Sequence, residues 1–135
     1  MANPPKMDPQ RGARGRGVIT LPAEGRKGDP PDWPLYGNPT AVQAEAWREL
    51  WATPQAVMWE RQGWTRVVAR YVIVMLEAEL LNKDALAEAR QLEDRLGLTP
   101  KAMRLLLWVV APDEVAEKRQ QSSAGGSARD RMRAV

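Results

Sequence analysis

The segment Trp64-Thr-Arg-Val-Val-Ala-Arg-Tyr-Val-Ile-Val-Met-Leu-Glu-Ala-Glu79 repeats its apolar side chains at helical spacing. Trp64, Val67, Val68, Tyr71, Val72, Met75 and Leu76 form one broad stripe, and Glu79 closes the series on the same face. Ile73 and Val74 add apolar surface off the stripe, so the middle of this helix has little polar face left. Such a helix is expected to be buried, either in its own core or against another subunit.

Working outward, four more helices are expected. One starts at Thr40 as N-cap and runs to about Trp51, with Val42, Trp47, Leu50 and Trp51 on or near one face. Thr53-Pro54 signals a restart, with Pro at the first helical position, and the helix carrying Val57 and Met58 weakens at Gly63. On the other side, Asn82-Lys83-Asp84 opens a helix over 85–96 that Gly97 ends. Thr99-Pro100 repeats the cap signature and begins a last helix through about Val110, stopped by Pro112. No segment alternates with period two, so no sheet of consequence is expected. The fold class is all-α, with about five helices.

Composition divides the chain into three zones. Residues 1–39 hold most of the eleven prolines and ten glycines. They lack apolar periodicity and are expected to form a flexible arm. Six basic residues face two acidic ones over 1–28, and Trp33-Pro34-Leu35-Tyr36 is expected to dock onto the core. Residues 40–114 form the helical domain, with nine basic against eleven acidic side chains. Residues 115–135, with five basic against two acidic, are expected to be a flexible tail. All six tryptophans lie between positions 33 and 108. That aromatic load on a small domain points to apolar area left over for self-association.

Histidine and cysteine are both absent. The common zinc sites, Ser-His-Asp and Cys-His nucleophile systems and a near-neutral general base are therefore excluded. No glycine loop ends in Lys-Ser or Lys-Thr, so nothing supports an ATPase. The longest uncharged apolar runs fall far short of the roughly 20 residues a membrane helix needs, and the N-terminus lacks the apolar stretch of a secretory signal. A soluble, unexported protein is expected. The net charge of +3 is too small to establish a nucleic-acid partner alone.

Three patterns invite a functional reading. Gly12, Gly15 and Gly17 punctuate an Arg/Gly patch that neither follows a strand nor opens a helix, so a dinucleotide loop is unsupported. As an arm, the patch can track a phosphate backbone. Two places fit a helix-turn-helix, one at Gln62-Gly63 and one over 92–107, where Lys101 and Arg104 sit near the start of a recognition helix. Against the second stands the apolar run Leu105-Leu106-Leu107-Trp108, which suits an ordinary helical hairpin. The carboxylates Glu45, Glu49, Glu60, Glu77, Glu79, Glu88, Glu93 and Asp94 read as solvated helix faces. No catalytic residue, metal ligand or cofactor is assigned.

Several strings, taken in order, resemble the small terminase subunits of tailed phages and prophages of actinobacteria. They are Leu21-Pro-Ala-Glu-Gly-Arg-Lys-Gly28, Pro31-Asp-Trp-Pro-Leu35, Glu49-Leu-Trp-Ala-Thr-Pro-Gln-Ala-Val-Met-Trp-Glu-Arg61, Val68-Ala-Arg-Tyr-Val72, Gln91-Leu-Glu-Asp-Arg-Leu-Gly-Leu-Thr-Pro-Lys-Ala-Met103, Trp108 and Asp113-Glu-Val115. The resemblance runs from about residue 16 to 116. It implies a non-catalytic homo-oligomer, a ring, that recognises viral double-stranded DNA in the host cytoplasm. The ring hands that DNA to the large terminase subunit, which carries the ATPase and nuclease.

Residues 1–39 cannot form the N-terminal helix-turn-helix domain many such proteins carry. DNA contact is therefore expected from Lys6, Arg11, Arg14, Arg16, Arg26 and Lys27, with Arg129, Arg131 and Arg133 second. Oligomerisation is expected through Trp64, Val68, Tyr71, Val72 and Met75. The rival readings are a dimeric helix-turn-helix transcription regulator using Lys101 and Arg104, and a phage structural assembly protein without DNA binding. A carboxylate-and-metal nuclease comes last.

Overall fold

Between residues 19 and 110 the computed structural model, which describes residues 17–113 and 118–125, alternates short capped helices with tight turns. Thr40 opens α1 (Ala41–Trp51) with a reciprocal capping box: its hydroxyl accepts from the Gln43 amide at 3.2 Å, and the Gln43 side chain accepts from the Thr40 amide at 3.0 Å. After a turn, α2 (Ala56–Gln62) ends at Gly63 in the left-handed conformation. The central helix α3 (Thr65–Glu79) follows, then α4 (Lys83–Arg95), whose Asn82 cap accepts from the amides of Asp84 and Ala85. Thr99 caps α5 (Pro100–Leu106) with proline in the first turn. Residues 118–125 are helical as well.

Two of these boundaries differ from expectation. The Thr53 hydroxyl donates back to the Leu50 carbonyl at 2.7 Å, so it closes α1 instead of capping α2. The second helix consequently starts at Ala56, two residues past Pro54. The last helix stops at Leu106, with Leu107 left-handed at φ 60°, because Trp108-Val109-Val110 leaves the helix to become a strand.

That strand corrects the expectation of a sheet-free fold. β1 (Ile19–Leu21) and β2 (Trp108–Val110) pair in parallel, with Ile19 opposite Trp108 and Leu21 opposite Val110. The Ile19 amide donates to the Leu107 carbonyl at 2.9 Å, and the Ala111 amide to the Leu21 carbonyl at 2.8 Å. Parallel strands need a long crossover, and here the crossover is the entire five-helix core. The fold is mostly helical, tied at its two ends by this ladder.

The same ladder moves the start of the folded unit. Composition alone puts residues 1–39 in an arm, yet Leu21 is fully buried and Trp33 and Leu35 pack against the core. Tyr36, from the same cluster, stays exposed. Prolines narrow the unfolded ensemble, so ordering this segment costs less entropy than its irregular sequence suggests. Its backbone polar groups find partners in β2 and in the turn after α1, where the Arg26 amide donates to the Thr53 carbonyl at 3.2 Å.

A file of tryptophans holds this segment to the helices. Trp33, Trp47, Trp51 and Trp59 meet edge to face, with ring centroids 5.1, 5.4 and 5.7 Å apart in succession. The Trp47 indole donates to the Pro31 carbonyl at 2.8 Å, and the buried Trp59 indole to the Leu96 carbonyl at 2.9 Å. These two bonds fasten the proline-rich segment to α1 and the end of α4 to α2. The Trp51 indole nitrogen is buried without a hydrogen-bond partner, an arrangement that costs about 1–3 kcal/mol. The Arg26 guanidinium lies 5.5 Å from the Trp51 ring centroid, a cation–π distance that offsets part of that cost.

Candidate functional site

Among the described residues no group of three or more Asp or Glu is placed to hold a metal ion. No helix there is long and apolar enough to cross a membrane. The surface carries exposed cationic, acidic and apolar side chains.

Of the cationic candidates for phosphate contact, Lys6, Arg11, Arg14, Arg16, Arg129, Arg131 and Arg133 lie outside the described residues. Lys27 is exposed. Arg26 has a different post. Its Nε donates to Glu60 Oε2 at 2.9 Å, Nη2 to Glu60 Oε1 at 3.2 Å and Nη1 to the Asp29 carbonyl at 3.0 Å, with the side chain 12% exposed. The hydrogen bond between them is the largest cause; with the pair's mutual attraction it outweighs the opposing cost of burial and holds Arg26 above its ordinary pKa and Glu60 below. A bidentate fork of this kind positions the 19–36 segment on α2. No local pattern announces it, since its partner stands far away in sequence.

The five residues expected to drive oligomerisation separate into two groups. Val68 and Val72 have no exposed surface, and Tyr71 has very little; they fill the protomer's own core. Trp64 and Met75 are half-buried and keep some surface. The apolar side chains that do face outward are others: Val42 on α1, Leu80 and Leu81 after α3, Leu105 on α5 and Val109 on β2. Leu80 and Leu81 fall beyond the end of the α3 stripe, where the chain turns with Leu81 at φ 61°, so helical phase no longer carries them inward.

Both helix-turn-helix positions take definite form. Gln62-Gly63 leads into α3, which buries Val68, Ala69, Tyr71, Val72 and Ala78 and leaves a stripe of Arg66, Arg70, Ile73 and Glu77 exposed. The α4–α5 pair leaves Lys101 and Arg104 exposed at the surface, but α5 is only seven residues long and passes directly into β2. Trp108 turns inward and packs against Gly97, while Leu105 is 76% exposed.

Three open grooves mark the surface beside α3. The largest of them, about 840 Å³ between α3 and α4, has Tyr71 in its lining and both Glu93 and Arg90 at its side. A second, about 380 Å³, lies between α1 and the C-terminal half of α3, with Glu45, Glu49 and Glu79 as its only charged lining residues. A third, about 460 Å³, lies by the N-terminal half of α3, where the charged residues are Arg70 and Arg95.

Burial, and then the charge and hydrogen bond of Glu93, push the Tyr71 hydroxyl up to about 12. Its folded pKa is thus raised above the ordinary value of about 10. The stability that follows is fully present below pH ~10 and is lost as pH rises through 12. Urea midpoints measured from pH 8 to 12 are expected to stay level and then fall over the upper part of that range. Tyr71→Phe should flatten the fall; an unchanged alkaline slope in that variant would remove Tyr71 as its source.

No family model, no curated protein and no solved structure matches the chain.

Proposed function

We propose that the chain is a small terminase subunit, a non-catalytic oligomeric adaptor that brings viral double-stranded DNA to the large terminase subunit for packaging. The observation that carries this reading is the ordered resemblance of the strings between residues 16 and 116. Several of those strings coincide with positions on which the fold depends: Gly25 and Arg26, the Trp51–Trp59 contact, and the Leu96–Pro100 turn. Exposed apolar side chains after the C-terminal end of α3, on α5 and in the β2 region supply surface suited to subunit contacts.

In this mechanism the cationic ends neutralise phosphates and release counterions, so binding weakens steeply with salt. Several copies on one DNA multiply a weak single contact.

The test is fluorescence anisotropy on a duplex from the packaging start of the encoding genome, over a salt series. Removal of residues 1–16 deletes Lys6, Arg11, Arg14 and Arg16. It is expected to weaken binding and to lower the slope of log K against log salt by up to about 3.6, near 0.9 for each phosphate no longer neutralised. Absence of duplex binding by the full chain at 50 mM salt would overturn the DNA-adaptor reading. Retention of binding after the deletion, with loss in Lys101→Glu/Arg104→Glu, would favour the helix-turn-helix regulator.

A further inference from the structure

The second and third grooves differ in charge and lie at opposite ends of one helix. In the groove between α1 and α3 the apolar floor of Val42, Ala46 and Leu76 is rimmed by carboxylates, with no cation in the lining. Glu45 already pairs with Arg48. Glu49 and Glu79 are exposed and enter no salt bridge among the described residues. At the other end the floor is Trp64, Val67 and Leu106, rimmed by Arg70 and Arg95 with no carboxylate in the lining. Both arginines are exposed and likewise enter no salt bridge among the described residues. Beside this basic groove Leu105 protrudes, 76% exposed. It shares a smaller hollow with Arg95, Lys101 and Asp94, whose carboxylate accepts from the Thr99 hydroxyl at 3.0 Å.

We propose that the chain self-associates head to tail: the basic end around Leu105, Arg70 and Arg95 seats on the acidic groove between α1 and α3 of a second copy. Leu105 is the projecting apolar side chain and the acidic groove is its receptacle. Arg70 and Arg95 then meet Glu49 and Glu79, so each of these rim charges finds an opposite one. Like ends repel, which selects against pairing of two identical patches.

The positions of the two ends dictate a chain of contacts beyond a pair. Residues 64, 67 and 70 and residues 75, 76 and 79 occupy faces roughly 130° apart and centres about 15 Å apart along α3, from 3.6 residues per turn and 1.5 Å per residue. Unlike patches so displaced give a heterologous interface, which closes into a ring where the rotation allows. The inference deepens the oligomeric part of the proposed function by naming its surfaces; it uses no property of DNA.

The experiment is light scattering coupled to size exclusion on the full chain and two charge-reversed variants, Arg70→Glu/Arg95→Glu and Glu49→Arg/Glu79→Arg. All four positions are exposed, and circular dichroism melts check that each variant is folded. The wild type is expected to run as a species of more than two copies whose mass falls with added salt. Each variant alone is expected at the single-chain mass of 15.1 kDa. An equimolar mixture should recover the large species, because each altered end then meets an opposite charge.

Wild-type mass in both variants would place the interface elsewhere, overturning this pairing and leaving the oligomer reading standing. Monomeric variants that do not recover on mixing would overturn the pairing as well. A wild type that stops at two copies would overturn the head-to-tail geometry. A monomeric wild type at low salt would overturn both this inference and the oligomeric adaptor.

Discussion

Trp59→Ala is expected to lower the thermal midpoint by on the order of 15–30 °C, the largest loss expected from a single core residue here. Trp59 has no exposed surface, meets Trp51 edge to face at 5.7 Å and donates its indole N–H to Leu96. Truncating a buried tryptophan to alanine costs about 3–5 kcal/mol. A domain of this size has roughly 5–15 kcal/mol in all, and each 1 kcal/mol moves the midpoint by about 4–8 °C. The loss also leaves the Leu96 carbonyl without its indole donor. Trp59→Phe retains most of the ring and removes the bond, so it should cost about 1–2 kcal/mol, near one hydrogen bond plus a small void. The two variants are compared by urea titration followed through near-ultraviolet circular dichroism. A loss below about 1.5 kcal/mol in Trp59→Ala would mean that α2 and the end of α4 are held by other contacts, since it lies under the range for such truncations.

What can be read from residues alone follows the range of the forces involved. Thr40, Gly63, Asn82, Gly97 and Thr99-Pro100 act on partners within a turn of the chain, and each stands where its local chemistry directs. The α3 stripe is likewise local, and Val68, Tyr71 and Val72 along it are buried. The parallel ladder is not local. Val18-Ile19-Thr20-Leu21 is a β-branched run closed by Pro22, a strand signal that the surrounding prolines and glycines obscure. Its partner, Trp108-Val109-Val110, carries the same signal at the end of a helical pattern. Only the pairing of the two makes either of them a strand.

The candidate surfaces are less legible for the same reason. In sequence Arg26 is one more cation in a basic segment, and its role changes only when Glu60 is brought to it. The apolar helix that carries Val68 and Val72 suggests a subunit interface, but the protomer already covers them. A groove rimmed by Glu49 and Glu79 joins two helices, so no single stretch of sequence contains it. Binary pattern predicts how much apolar area a helix offers, but the neighbours decide which part of it remains.

Gly25→Ala is expected to destabilise the fold by about 2–5 kcal/mol, combining backbone strain with overpacking. Gly25 sits at φ 84°, and a Cβ there would lie 1.8 Å from the Ala52 carbonyl oxygen and 3.0 Å from its carbon. Both atoms are backbone, at the cap that ends α1, so no side chain can rotate away. Relief requires the 19–36 segment to lift from the helices, which withdraws Leu21 from the core and Arg26 from Glu60. Gly28 provides the control. Its φ is 98°, yet nothing lies within 4 Å of its added Cβ, so Gly28→Ala carries only the left-handed strain of roughly 1–2 kcal/mol. Hydrogen exchange reads the difference directly. The amides of Ile19 and Ala111, which close the two ends of the ladder, should lose protection in Gly25→Ala while the α3 amides keep more of theirs. Equal losses in the two glycine variants would mean that the turn yields around Ala52, and that β1 is not tied to the end of α1 through Gly25.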